Sequence, residues 1–161
     1  MGGIGLILLF AFGGDDGSLR QGLSGRSDFS AGDFSSAGER IFLTGRDENG
    51  RRIPRSGGFG GMMGDVACAD CHGEDARGGS IQMMMYDIEA PDIRWSTLAE
   101  PEPESGATGD EHAHEPFDEA SFARAIREGV TPGGESLDRL MPRWQLSDRQ
   151  VQALVEYLRE K

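Results

Sequence analysis

The only two cysteines in this chain, Cys68 and Cys71, stand three residues apart, and a histidine, His72, follows the second. So short a loop cannot staple distant parts of a fold, and two cysteines are too few for a disulfide scaffold. Yet the composition resists regular structure: glycine fills 25 of 161 positions, about twice the usual share of roughly 7%. Seven prolines and only 7% aromatic residues accompany it. The chain therefore reads as a small, loop-rich fold whose core is completed by a bound group.

Three segments carry helix signals, each with its own start device. Ser36-Ala-Gly-Glu39 forms a capping-box sequence and Gly45 is placed to end a helix over about 37–44, with Ile41 or Phe42 inward. Asp118 can cap a helix reaching Glu128, flanked by Phe117 and Phe122 as a staple and stopped by Gly129, with Phe122 and Ile126 on its buried stripe. Ser147-Asp-Arg-Gln150 is a second capping box, and Val151, Leu154, Val155 and Leu158 follow at the spacing of one helical face. No segment sustains a period of two, so the expected class is all-α and a sheet is not expected.

Cys68-Ala-Asp-Cys71-His72 is a C-x-x-C-H sequence, the signature for attachment of a c-type haem. Residues i and i+3 on a helical turn face the same way, so both thiols can form thioethers with one porphyrin, and the adjacent His72 can supply iron with an imidazole nitrogen. A zinc set of Cys68, Cys71, His112 and His114 is the alternative, but H-x-H departs from the usual H-x3–5-H spacing. A dithiol oxidoreductase would need a strand-then-helix frame that is lacking here. For the second axial ligand, Met141 stands in Leu140-Met-Pro-Arg-Trp144, just before the last capped helix, with a proline restricting its backbone. Met62, Met63 and Met83-Met84-Met85 are its rivals, with gap-filling as their ordinary role.

These residues resemble the class I, mono-haem c-type cytochromes over roughly 35–161. C-A-D-C-H at 68–72 with Gly73 after it, and Met141-Pro142 before the final helix, carry the resemblance. It implies a small cytochrome c fold of three to five short helices around one covalent haem c, with long loops, and His72 and Met141 as iron ligands. It further implies that Gly38 and Phe42 lie on a first helix crossing the last one, near Leu154 and Tyr157. Ala90-Pro91-Asp92 is similar to the family's proline segment, so the Pro91 carbonyl is expected to accept the other ring N–H of His72. Arg94, Trp95 and Trp144 are candidates for packing and hydrogen bonding at the haem edge, because guanidinium and indole supply the donors a propionate needs. The stretch 46–63 is longer than small family members allow, and its Arg51, Arg52 and Arg55 are candidates for a propionate contact or a local basic patch, with a solvated loop as the ordinary alternative.

The ends and the charge bear on where such a protein works. Residues 1–13 are apolar enough for a signal segment, with cleavage before Gly14, or for a weak anchor, but fall short of the ~20 residues that span a bilayer. Residues 14–34 read as a flexible Gly/Ser/Asp linker, leaving 35–161 as the domain. With 16 basic and 28 acidic residues the formal net charge is −12, which excludes nucleic acid as the main partner and limits membrane contact to the N-terminal segment. Glu100, Glu102, Glu104, Asp110, Glu111, Glu115, Asp118 and Glu119 concentrate that charge in one stretch without a Lys or Arg. The expectation is a periplasmic or otherwise extracytoplasmic one-electron carrier, free or tethered, that docks on redox proteins with basic surfaces and is not itself an enzyme. A fixed electron-relay subunit of a membrane respiratory or oxidoreductase complex is the alternative. A ligand-sensing or catalytic haem protein would require Met141 to be off the iron.

Overall fold

Local capping chemistry starts each long helix. The structure, a computed structural model, describes residues 33–58, 66–83, 86–100 and 115–161. The expectations for 1–32, for Met62, Met63, Met84 and Met85, and for His112 and His114 lie outside the described residues. In chain order the elements are α1 (Ala37–Thr44), β1 (Arg55–Ser56), α2 (Ala69–His72), β2 (Gly79–Met83), β3 (Tyr86–Ala90), α3 (Trp95–Ala99), α4 (Glu119–Glu128), β4 (Arg143–Trp144) and α5 (Asp148–Arg159).

In α1 the Ser36 hydroxyl accepts the Glu39 amide at 3.0 Å. The reciprocal arm differs from the sequence expectation: the Glu39 carboxylate accepts from the Ser35 amide at 2.6 Å and the Ser35 hydroxyl at 2.7 Å. The Ser35 hydroxyl offers the carboxylate a second donor, so Glu39 reaches one residue further back, and these bonds hold its carboxyl below the usual range. Full capping boxes open the other two helices, with Asp118 and Ser121 at α4 and Ser147 and Gln150 at α5. Gly45 and Gly129 end α1 and α4 in the left-handed conformation.

Helices α1 and α5 cross in direct contact. A Cβ on Gly38 would lie 2.0 Å from the Ala153 carbonyl oxygen and 2.8 Å from Tyr157 Cβ, so the two backbones meet with no room for a methyl group. Four residues on, Phe42 is fully buried and its ring sits 5.3 Å from that of Tyr157. Both Ile41 and Phe42 are inward, and the α5 stripe of Val151, Leu154, Val155 and Leu158 is buried. Fully burying side chains of this size contributes about 1.5–3 kcal/mol each. Phe122 and Ile126 of α4 join the same core, and Phe117 packs against it. Arg127 pairs with Asp148 and Arg159 with Glu119, linking α4 to α5 at both ends.

Two short antiparallel sheets correct the expectation that no sheet forms. In the first, β1 pairs with β4, Arg55 opposite Trp144. In the second, β2 pairs with β3 from Gly79 opposite Ala90 to Met83 opposite Tyr86. Strands of two to five residues are too short to leave a sustained alternation, and they decorate a frame of five helices among the described residues.

Replacing Gly38 by alanine tests the crossing. On an exposed helix that change stabilises by roughly 1 kcal/mol; here overpacking against a backbone carbonyl should reverse the sign and cost about 1–3 kcal/mol. Denaturant unfolding of the Gly38→Ala protein measures it, and a gain in stability would contradict the close approach.

Candidate functional site

The turn that bears the cysteines is held by its own intervening residue. Asp70 accepts the Ala67 amide at 2.8 Å, and the His72 and Gly73 amides close the turn on Cys68 and Ala69 at 2.9 and 3.0 Å. Cys68 and Cys71 are partly exposed and form no disulfide with each other. Burial pushes the Cys68 thiol up to about 12 and raises that of Cys71 as well. A raised thiol is the opposite of the lowered one that a dithiol redox pair uses. Among the described residues, no three His, Cys, Asp or Glu side chains gather where they could hold a metal ion.

His72 is buried, and its Nδ1 lies 2.9 Å from the Pro91 carbonyl oxygen. A carbonyl only accepts, so Nδ1 carries the proton and Nε2 keeps a lone pair. Burial lowers the His72 pKa, against the Pro91 bond which raises it, so the ring stays neutral. A neutral imidazole with its second nitrogen fixed is the form that ligates iron.

A residue that sequence reasoning missed makes this bond possible. Gly78 has φ 72° and donates its amide to the His72 carbonyl at 2.9 Å. A Cβ on it would lie 2.1 Å from the Ala90 carbonyl oxygen and 2.6 Å from that of Pro91. Gly78 thus lets the 90–91 backbone come close enough to reach the histidine. The adjacent pair Gly78-Gly79 was the available signal. The β2–β3 hairpin lies between the two partners in sequence and returns the chain to Pro91.

Met141 is half-buried and packs against the same apolar core as Cys68. Pro142 and Trp144 after it are buried. The long stretch before the cysteines runs behind this segment. Its Pro54 carbonyl accepts the Gln145 amide at 2.8 Å, β1 pairs with β4, and the Gly58 amide reaches the Arg139 carbonyl at 3.1 Å. Arg55 lies 5.8 Å above the Trp144 ring, while Arg51 pairs with Asp47 at 3.1 Å.

Arg94 turns to Asp92, meeting both carboxylate oxygens through Nε at 3.0 and 2.9 Å. Partial burial raises the Asp92 carboxyl, but its bonds from Arg94 and Thr97 outweigh this and hold it low. Trp95 stacks edge-on to Phe122 at 5.7 Å and lies under Arg159, joining α3 to α4 and α5.

The donor set fits an iron porphyrin attached through two thioethers: two thiols on one turn, a neutral imidazole with one nitrogen to spare, and a thioether on the same core. No curated protein and no solved structure matches the chain. Residues 60–161, well over half of it, match the family model described as cytochrome c. That match begins after α1 and takes in the C-x-x-C-H turn, the Pro91 segment, Met141 and α5. The chain belongs to the cytochrome c family, and its cofactor is a covalently bound haem c.

Proposed function

We propose that this protein is a one-electron carrier working outside the cytoplasm, in which His72 and Met141 would hold the haem iron. The observation that carries the reading is the buried, neutral His72 locked by Pro91, because it prepares one nitrogen for iron and fixes the ring that bears it. When bound, the haem supplies a centre that exchanges Fe(II) and Fe(III). Cys68 and Cys71 would hold it through thioethers. His72 keeps its proton on Nδ1 in both states, so no acid or base is needed. Met141 would supply a second protein donor to iron, a thioether, which would disfavour oxygen activation and raise the potential relative to two histidines.

The family supports a haem-binding electron carrier rather than a catalytic enzyme. No helix among the described residues is long and apolar enough to cross a membrane. The net charge of −12, with Glu100, Glu115, Asp118 and Glu119 all exposed, supports docking on basic surfaces of redox partners.

A pyridine haemochrome spectrum with intact mass should show one covalent haem in the native protein, and Met141→Ala then tests the ligand. The variant should lose the ferric near-infrared sulfur-to-iron band, bind carbon monoxide when reduced, and fall in potential; a band that survives rejects Met141. Gly78→Ala should push the Pro91 carbonyl off His72, raising the potential because the imidazole donates less, and should cost about 1–3 kcal/mol from backbone strain. Voltammetry and thermal unfolding read the two effects, and an unchanged potential would show that the bond survives. Electron transfer to a basic redox partner should slow as salt rises; stopped-flow rates indifferent to ionic strength would point to apolar docking.

A further inference from the structure

We propose that Arg143 is a positioning residue for Met141, clamping residues 137–141 against the end of α4. The segment has little packing of its own: Leu137, Leu140 and Met141 are half-buried, and Asp138 and Arg139 are exposed. It contains no helix or strand, so ordering it costs conformational entropy that something must offset.

Arg143 supplies the offset from just beyond the segment. Its Nη1 donates to the Met141 carbonyl, and its Nη2 donates to the Leu137 carbonyl at 2.9 Å and, more weakly, to that of Asp138 at 3.4 Å. One planar fork therefore joins the first and last residues of the loop. Among the described residues, every hydrogen bond of this guanidinium goes to a backbone carbonyl. Such bonds from a charged donor are about twice as strong as neutral ones. Lysine, a point donor on a flexible stem, cannot span the same set.

The clamp is seated on α4. A Cβ on Gly129 would lie 1.7 Å from Arg143 Nε and 2.0 Å from Cζ, so the guanidinium occupies the space that glycine leaves. The Gly129 carbonyl also accepts the Leu137 amide at 2.8 Å. Helix end, guanidinium and loop thus form one stack. From the other side β1 pairs with β4, setting Ser56 opposite Arg143. The role of Arg143 toward iron rests on the reading of Met141 as ligand; its hold on the loop does not.

Arg143→Gln and Arg143→Lys holoproteins test this, with three readouts. On heating, the near-infrared sulfur-to-iron band should vanish before the far-ultraviolet helix signal in Arg143→Gln, whereas both should vanish together in the parent. Imidazole should bind the ferric variant about tenfold more tightly, and amide exchange across 137–141 should speed by about tenfold while α5 is unchanged. Arg143→Lys should fall between, and it decides the matter alone if Arg143→Gln does not fold. Variants that match the parent in all three readouts overturn the proposal. Faster exchange together with a band that survives Met141→Ala overturns both the Met141 assignment and the role of Arg143 in holding a ligand, which separates the two failures.

Discussion

The contact between the backbone of α1 at Gly38 and that of α5 at Ala153 is the constraint from which the rest of the structure hangs. Helices of eight and twelve residues are marginal alone and gain their stability by burying a face against one another. With no side chain at Gly38, the axes come close enough for Phe42 and Tyr157 to meet below the crossing. Two halves of the fold, the cysteine turn and the Met141 segment, are referred to this pair. The cysteine turn α2 packs on α1, and the Met141 segment runs into the Ser147 cap of α5. A shift of either helix would move the two halves relative to each other.

The two halves are held by different means. On the His72 side the ring is fixed by the Pro91 carbonyl, and the path between them is a hairpin and a tight loop in which Gly78 and the buried Ala76 make the backbone bonds. On the Met141 side the chain is held in layers, by β1 behind it and Arg143 beneath it. This gives the stretch 46–58 a structural role. Arg51 and Arg55, candidates for a propionate from sequence, are engaged with Asp47 and with the face of Trp144. Their charges act where the strap turns and where it lies on β4.

The parts of this design legible in the sequence are those written locally. Ser147 and Gln150 cap α5 through groups three residues apart, and Val151, Leu154, Val155 and Leu158 fall on one face by simple periodicity. C-x-x-C-H is legible for the same reason, since one short helical turn holds all three residues. What stayed hidden depends on residues distant in sequence. The pair Gly78-Gly79 signals a permissive backbone but not that Pro91 is what it admits, and nothing near Gly129 announces Arg143. The hairpin escaped because Tyr86, Ile88 and Ala90 alternate with Asp87 and Glu89 over only five residues. Glu39 shows the finer limit: the box was readable, but the choice of Ser35 over Ser36 depends on a second hydroxyl within reach.

Glycine abundance takes on a different meaning in this light. A chain with so many glycines loses more entropy on folding than one rich in alanine, and the composition alone reads as weakness. Yet at Gly38, Gly78 and Gly129 the absent Cβ is replaced by a carbonyl, a carbonyl and a guanidinium from elsewhere in the chain. An alanine would favour the helix at Gly38 but strain the positive-φ backbone at Gly78 and Gly129, and at all three it would exclude the neighbouring group. The entropic cost is thus tied to three close approaches: the crossing that carries both halves, the contact that brings Pro91 to His72, and the stack of Gly129 on Arg143. The covalent haem c adds apolar contact to a chain that itself has little, so glycine positions that weaken the polypeptide alone are ones that let its distant segments meet.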